Sequence, residues 1–169
     1  MPTTTYKPIY ATSAALTITL ASLATSATRV AGVESDTVDN STNLYDEVLL
    51  SGKITTGTSP TVSKQIDVWV VAAMDGSSTW PDVFDGTNSA ETWTSENVRN
   101  AGGQILLSIL VDATSDRTYY FSNRSVAALF GGVVPQKFVV FVAHDTAVNL
   151  NATGSNHAIT MQGVQWQSV

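Results

Sequence analysis

A chain of 169 residues with 43% hydrophobic residues is long enough for one folded domain and too apolar for a disordered one. Only 13% of its residues are charged and its formal net charge is −6, which argues against a general nucleic-acid binder, since such proteins cluster Lys and Arg against phosphates. Cysteine is absent, so disulfides and thiolate metal sites are excluded.

The N-terminus predicts an extended arm over residues 1–11, rich in Thr and Pro. Its apolar side chains, Tyr6, Ile9 and Tyr10, are candidates for contact with a neighbouring molecule. Residues 12–169 are predicted to form a single domain. A cleaved leader at residues 11–27 is disfavoured, because threonines alternate there with apolar residues as they do in a strand. No apolar run approaches the roughly 20 residues of a membrane span, so no membrane partner is expected.

Alternation of apolar and polar residues predicts a chain of strands separated by turns. The predicted strands are Ala14–Leu23, Arg29–Glu34, Tyr45–Thr56, Gln65–Ala73, Gln104–Ala113, Arg117–Phe121, Lys137–Ala143 and Ala158–Trp166. Ser125–Phe130 reads as a helical turn or a short strand. About eight strands without a long helix predict an all-β, antiparallel β-sandwich, and the long connections favour a jelly roll over an up-and-down barrel.

Residues 75–103 interrupt this pattern with a long stretch that shows little periodicity, except for a possible short strand near Thr92–Thr94. Loops of this length usually bind something or pack on a neighbour. Trp80 and Trp93 lie within it and leave two interpretations open. Either the segment folds back or packs on another subunit and buries them, or their rings stay exposed and stack on a sugar.

Residues capable of chemistry are few and carry no catalytic motif. His144 precedes Asp145, but no G-x-S-x-G motif is present, and a structural role for both histidines, His144 and His157, is favoured. Acid pairs such as Asp82 and Asp85 read as solvated turn residues, although calcium binding stays open. We therefore predict no catalytic residue, no cofactor and no metal ligand. A hydrolase on a β-sandwich is an alternative without a specific signal, because among 14 acids some pair always has the separation that a glycosidase needs.

Several stretches resemble small structural proteins of tailed-phage virions. They are Leu20–Leu23, Thr58–Thr61 before Ile66–Val70, Ser125–Pro135 and Asn149–His157, and the likeness extends over most of residues 12–169. It is a likeness of pattern and brings no catalytic residues. The resemblance implies a jelly-roll cement or decoration protein, made in the host cytoplasm and carried on the virion. Its partners would be the major capsid protein or other virion proteins, and further copies of itself, most simply as a trimer.

One further function stays open at this point. A carbohydrate- or host-binding module of a phage tail or appendage would use Trp80 and Trp93 as its stacking residues. The candidate interaction residues are therefore Tyr6, Ile9, Tyr10, Trp80 and Trp93.

Overall fold

Two antiparallel β-sheets face each other in a computed structural model that describes residues 5–168. Met1–Thr4 of the predicted arm and Val169 lie outside the described residues. The strands within this range are β1 (Tyr6–Tyr10), β2 (Ala14–Ala15), β3 (Ala31–Glu34), β4 (Val38–Asp39), β5 (Glu47–Thr55), β6 (Gln65–Ala72), β7 (Ala90–Thr92), β8 (Gln104–Leu110), β9 (Thr118–Ser125), β10 (Lys137–His144) and β11 (Ala158–Ser168). One short helix, α1 (Glu96–Gly102), and two 3-10 turns, Ala127–Phe130 and Gly154–Asn156, complete the regular structure of that range.

In each sheet, strands from the first half of the chain alternate with strands from the second half. Sheet I has the order β1-β11-β5-β9, with β2 also paired to β11. Sheet II has the order β7-β3-β10-β6-β8, with β4 also paired to β10. All of these pairings are antiparallel. The all-β sandwich predicted from the sequence is thus confirmed.

The space between the sheets holds the main hydrophobic core. Sheet I contributes Val48, Leu50 and Ile54 from β5 and Ile159 from β11, and all four are at most 1% exposed. Sheet II contributes alternate residues of β6 and β10, among them Ile66, Val68, Val70, Phe138, Val140 and Val142. The period-two pattern of the sequence therefore marks side chains that leave water together, which is the main driving force for folding such a chain.

The strand predicted at Ala14–Leu23 is mostly wrong. Only Ala14–Ala15 pairs, with Thr160 and Met161 of β11, and the chain then leaves the sheet. Leu20 is 1% exposed and belongs to the main core, and Leu16 and Ile18 pack against that core. Alternation here reflects alternate burial along a loop, whose backbone bonds singly to Asp36 and to the side chain of Asn88 and not to a strand ladder.

Strands β6 and β10 are buried on both faces because residues 75–103 cover the outer side of sheet II. This covering segment contains β7 and α1, and Ser95 caps the helix by accepting a hydrogen bond from the backbone NH of Val98 at 3.2 Å. Beneath the segment lies a second hydrophobic cluster, formed by Trp69, Val71, Phe84, Trp93, Val139, Phe141 and Ala143. The sequence predicted a loop without a helix here, because α1 is only seven residues long and its apolar positions show no clear period.

The described part of the predicted arm is extended, but it does not project from the domain. Tyr6–Tyr10 forms β1, an edge strand of sheet I that pairs with β11 from Tyr6 opposite Ser168 to Tyr10 opposite Val164. Pro8 suits an edge strand, because proline has no backbone NH and the outer side of an edge strand has no neighbouring strand that would need this donor. Among the described residues, no helix is long and apolar enough to cross a membrane.

Candidate interaction surface

The two sheets differ in how their outer faces meet solvent. The covering segment shields sheet II, whereas the outer face of sheet I at β1 and β11 carries large exposed side chains. Residues directly opposite each other in an antiparallel pair point to the same face. Pro8 lies opposite Trp166, and Tyr6 and Tyr10 flank Pro8 at intervals of two residues, so these four residues share one face.

Three aromatic rings of β1 and β11 are exposed on this face. The exposed fractions are 64% for Tyr6, 58% for Tyr10 and 56% for Trp166. We call Tyr6, Pro8, Tyr10 and Trp166 the aromatic patch. Contiguous apolar surface of this kind is uncommon on a monomer unless it contacts a partner or a ligand, while single exposed apolar residues need no explanation.

A shallow hollow of about 510 Å³ adjoins the patch. Its walls are mainly apolar and include Leu49 and Val164, with Asp46 and Glu47 at one side. Both carboxylates already serve the fold. Asp46 Oδ2 accepts a hydrogen bond from the backbone NH of Trp166 at 2.8 Å, and Glu47 Oε1 accepts from the backbone NH of Ala127 at 3.0 Å. These bonds hold the backbone at Trp166 and at Ala127 beside the hollow.

The candidate residues from the arm divide between two faces of β1. Tyr6 and Tyr10 belong to the aromatic patch. Ile9 lies opposite Gln165, points to the other face of the strand and is 43% exposed. Trp166, which the sequence placed in a strand as a core or sheet-face residue, completes the patch. Trp166 joins the patch only because β11 pairs with β1, and the sequence does not reveal this pairing since residues 6–10 lie at the opposite end of the chain.

Trp80 and Trp93 do not form an exposed pair. Trp93 is 1% exposed, and its ring centroid lies 4.5 Å from that of Phe84 and 6.3 Å from that of Phe141. Trp80 is half-buried and packs against the same cluster. Of the two interpretations left open by the sequence, burial under the covering segment is therefore the one that the structure shows, and Trp93 offers no free ring face for a sugar.

Both histidines are hydrogen-bonded inside the fold. His144 is fully buried, with Nε2 2.9 Å from the carbonyl oxygen of Leu23 and Nδ1 3.0 Å from Thr146 Oγ1. His157 Nε2 lies 2.8 Å from the carbonyl oxygen of Asn151. Burial lowers the pKa of both imidazoles, so the neutral form donates from Nε2 to a carbonyl in each case. These contacts tie loops to strands at one end of the sandwich.

The acids singled out in the sequence act largely as turn and loop acceptors. Asp82 accepts two bonds from Thr94, at 2.7 Å from its backbone NH and 2.7 Å from its hydroxyl, and thereby closes the covering segment. Asp85 accepts from the backbone NH of Thr87 at 2.8 Å. Within residues 5–168, no group of three or more His, Asp or Glu side chains is placed to hold a metal ion.

No protein-family model matches the chain, and no curated protein matches it. Any functional assignment therefore depends on the fold, the aromatic patch and the resemblance of pattern described above.

Proposed function

We propose that this chain is a non-enzymatic structural protein of a tailed-phage virion, a cement or decoration protein that binds the head surface as an oligomer. The observation that carries the proposal is the asymmetry of the sandwich. One outer face is covered by the chain itself, and the other leaves the three aromatic rings of the aromatic patch in water. Tyr and Trp are the residues that most often dominate protein interfaces, because they bury large areas at low entropic cost.

The strand order supports the jelly-roll part of this proposal. In chain order, the eight main strands are β1, β3, β5, β6, β8, β9, β10 and β11. They pair first with last, second with seventh, third with sixth and fourth with fifth, as β1–β11, β3–β10, β5–β9 and β6–β8. A long hairpin folded over into two sheets gives this pairing, and the double-sheet jelly roll is the eight-stranded fold of that kind, found in capsid and lectin domains.

The partner that fits the aromatic patch is a protein surface, either a second copy of this chain or the major capsid protein. The patch carries no charged side chain of its own, so docking would not strip a charge of its water. A cement protein occupies many equivalent sites, and linking copies into a trimer would strengthen attachment even where each contact is modest.

Self-association should depend on the aromatic patch. We expect the double change Tyr10→Ala and Trp166→Ala to weaken oligomer formation by roughly 100-fold or more in dissociation constant, because two interface aromatics commonly contribute about 2 kcal/mol each. Sedimentation velocity over a range of concentrations measures this directly. Leu110→Ala is the matched control, since Leu110 is an apolar strand residue that is 62% exposed on sheet II.

Two results would count against this interface. One is a wild-type chain that stays a 17.9 kDa monomer in solution and also fails to bind purified heads. The other is an oligomer that the double variant leaves unchanged while Leu110→Ala disrupts it. Binding to heads without self-association would instead identify the capsid protein as the occupant of the patch.

A carbohydrate-binding or host-binding module is the second candidate. Its stacking residues would be the exposed rings of the aromatic patch, because Trp93 is buried. Residues at intervals of two along a strand lie about 7 Å apart, so the patch presents stacking positions in a row. A glycan array with the wild type and Trp166→Ala tests this. Specific binding that Trp166→Ala abolishes would support it, and the same array with Trp80→Ala tests the covering segment.

A further inference from the structure

One carboxyl group lies beneath the covering segment without a cation beside it. Glu34, the last residue of β3, is fully buried and lies opposite Phe141 of β10 on the covered face of sheet II. Its Oε1 accepts a hydrogen bond from the backbone NH of Asp85 at 3.2 Å, and its Oε2 has no hydrogen-bond donor in the described chain. Buried carboxylate oxygens without donors are rare, because each costs the lost hydration of a charge.

The groups that face Glu34 are acidic or uncharged. The covering segment contributes Asp85, whose side chain lies within hydrogen-bonding reach, and Glu91 of β7, whose charge acts through space. β10 contributes the ring of Phe141. Asp36, two residues further along the chain, is bonded to the backbone NH of Asn88. Within residues 5–168, no Lys, Arg or His forms an ion pair with Glu34.

One proton on the Glu34 carboxyl would account for its close approach to Asp85 without a cation nearby. Two carboxyl groups can hydrogen-bond to each other only if one is protonated, and the buried member is the one that gains most from being neutral. We propose that protonated Glu34 and ionised Asp85 form a latch that holds the covering segment on sheet II, and that loss of the Glu34 proton releases the segment. The inference concerns the opposite sheet from the aromatic patch and is independent of the proposed function.

The direction of the pH dependence follows from the surroundings. Burial, followed by the hydrogen bond to Asp85, raises the pKa of Glu34 from an ordinary value of 4.5 to about 8, while the bond to Glu34 lowers the pKa of Asp85. The folded protein therefore keeps a proton on Glu34 that the unfolded chain releases above about pH 4.5. Stability contributed by this site falls as the pH rises from there to about 8 and then stays low, because the folded state binds more protons throughout that window.

Release of the latch would expose apolar surface. The covering segment places Phe84 and Trp93 on Phe141, with Phe84 and Phe141 ring centroids 5.4 Å apart. Opening the segment would therefore present a second aromatic face on sheet II, to an extent that increases as the pH rises to about 8.

Limited proteolysis at pH 6.5 and pH 9.5 with a broad-specificity protease tests the latch. Rates are normalised to an unstructured peptide at each pH, and cleavage sites are mapped by mass spectrometry. We expect cleavage within residues 75–91 to be roughly 30-fold faster at the higher pH, because pH 6.5 lies about 1.5 units below the Glu34 pKa of about 8 and each unit shifts an opening equilibrium about tenfold. Glu34→Gln keeps a donor for Asp85 and cannot ionise, so its rates should differ by less than about twofold between the two pH values.

Several outcomes would overturn the proposal. They are wild-type rates that agree within twofold at the two pH values, a Glu34→Gln protein that opens as the wild type does, or alkaline cleavage spread evenly over the chain. If Glu34→Gln does not fold, Asp85→Asn must shift the rise in cleavage to lower pH in its place, because the Asn amide can donate to ionised Glu34 and the Asp85 carboxylate that raised the Glu34 pKa is gone. A carbon-13 NMR titration of the wild-type Glu34 carboxyl gives an independent result, and a midpoint below pH 6 would also exclude the latch.

Discussion

Replacing Trp93 with alanine should lower the free energy of unfolding by about 3–5 kcal/mol, the range seen when a large aromatic is removed from a packed core. Trp93 is 1% exposed and its ring packs edge-on against Phe141 and at a tilt against Phe84. The change leaves a cavity between the covering segment and sheet II, and the segment cannot close it because β7 is paired to β3. Urea unfolding followed by circular dichroism measures the loss.

Trp166→Ala is the matched control for this prediction. Trp166 lies within the paired strand β11, but it is 56% exposed, so we expect its removal to change stability by less than about 0.5 kcal/mol. Equal effects of the two changes would contradict the placement of Trp93 in the core and of Trp166 on the surface. A loss at Trp166 alone would reverse that division.

The second large effect is expected at Asp67, which joins three parts of the fold. Its Oδ2 accepts a bond from Arg29 Nε at 2.7 Å, and its Oδ1 accepts from the hydroxyl of Ser108 at 2.6 Å. Arg29 also donates to Asp145 Oδ2 at 2.9 Å. The Asp67 side chain is 3% exposed, so the ion pair is screened little by solvent on that side.

We expect Asp67→Asn to destabilise the protein by about 3 kcal/mol, near the lower end for breaking a buried pair, because Arg29 keeps Asp145 and is 26% exposed. Thermal or urea unfolding gives the value. Lys64→Ala is the control, since Lys64 Nζ lies 3.6 Å from Asp145 and its side chain is 41% exposed. That change should alter stability by less than about 0.5 kcal/mol. Similar losses in both variants would show that Asp67 is no more than a surface partner.

The parts of the fold that the sequence predicts well are those in which burial and pairing coincide. β5, β6 and β10 alternate because their inward residues fill one core, and the predicted ranges agree with the observed strands within two residues at either end. Residues 16–20 alternate equally well but form no strand, because a loop that packs on the core can also bury every second residue. Local pattern cannot distinguish these cases.

The candidate surface was harder to predict than the fold, for a reason that is also nonlocal. Tyr6 and Tyr10 are recognisable as apolar residues near a polar N-terminus. Their position beside Trp166 depends on the pairing of β1 with β11, which joins the two ends of the chain. Conversely, Trp93 lies in a polar stretch with little periodicity, and only the docking of that stretch on sheet II buries it. Exposure of an aromatic residue is thus a property of tertiary packing and not of its sequence neighbourhood.

The most direct test of the central proposal is cryo-electron microscopy of purified phage particles from a source that carries this gene. The proposal predicts one copy of the sandwich at each of many equivalent sites on the outside of the head. It also predicts that Tyr10 and Trp166 are turned toward the capsid subunit or a neighbouring copy. Absence of the protein from the particle, or a bound sandwich whose aromatic patch faces solvent at every site, would contradict it.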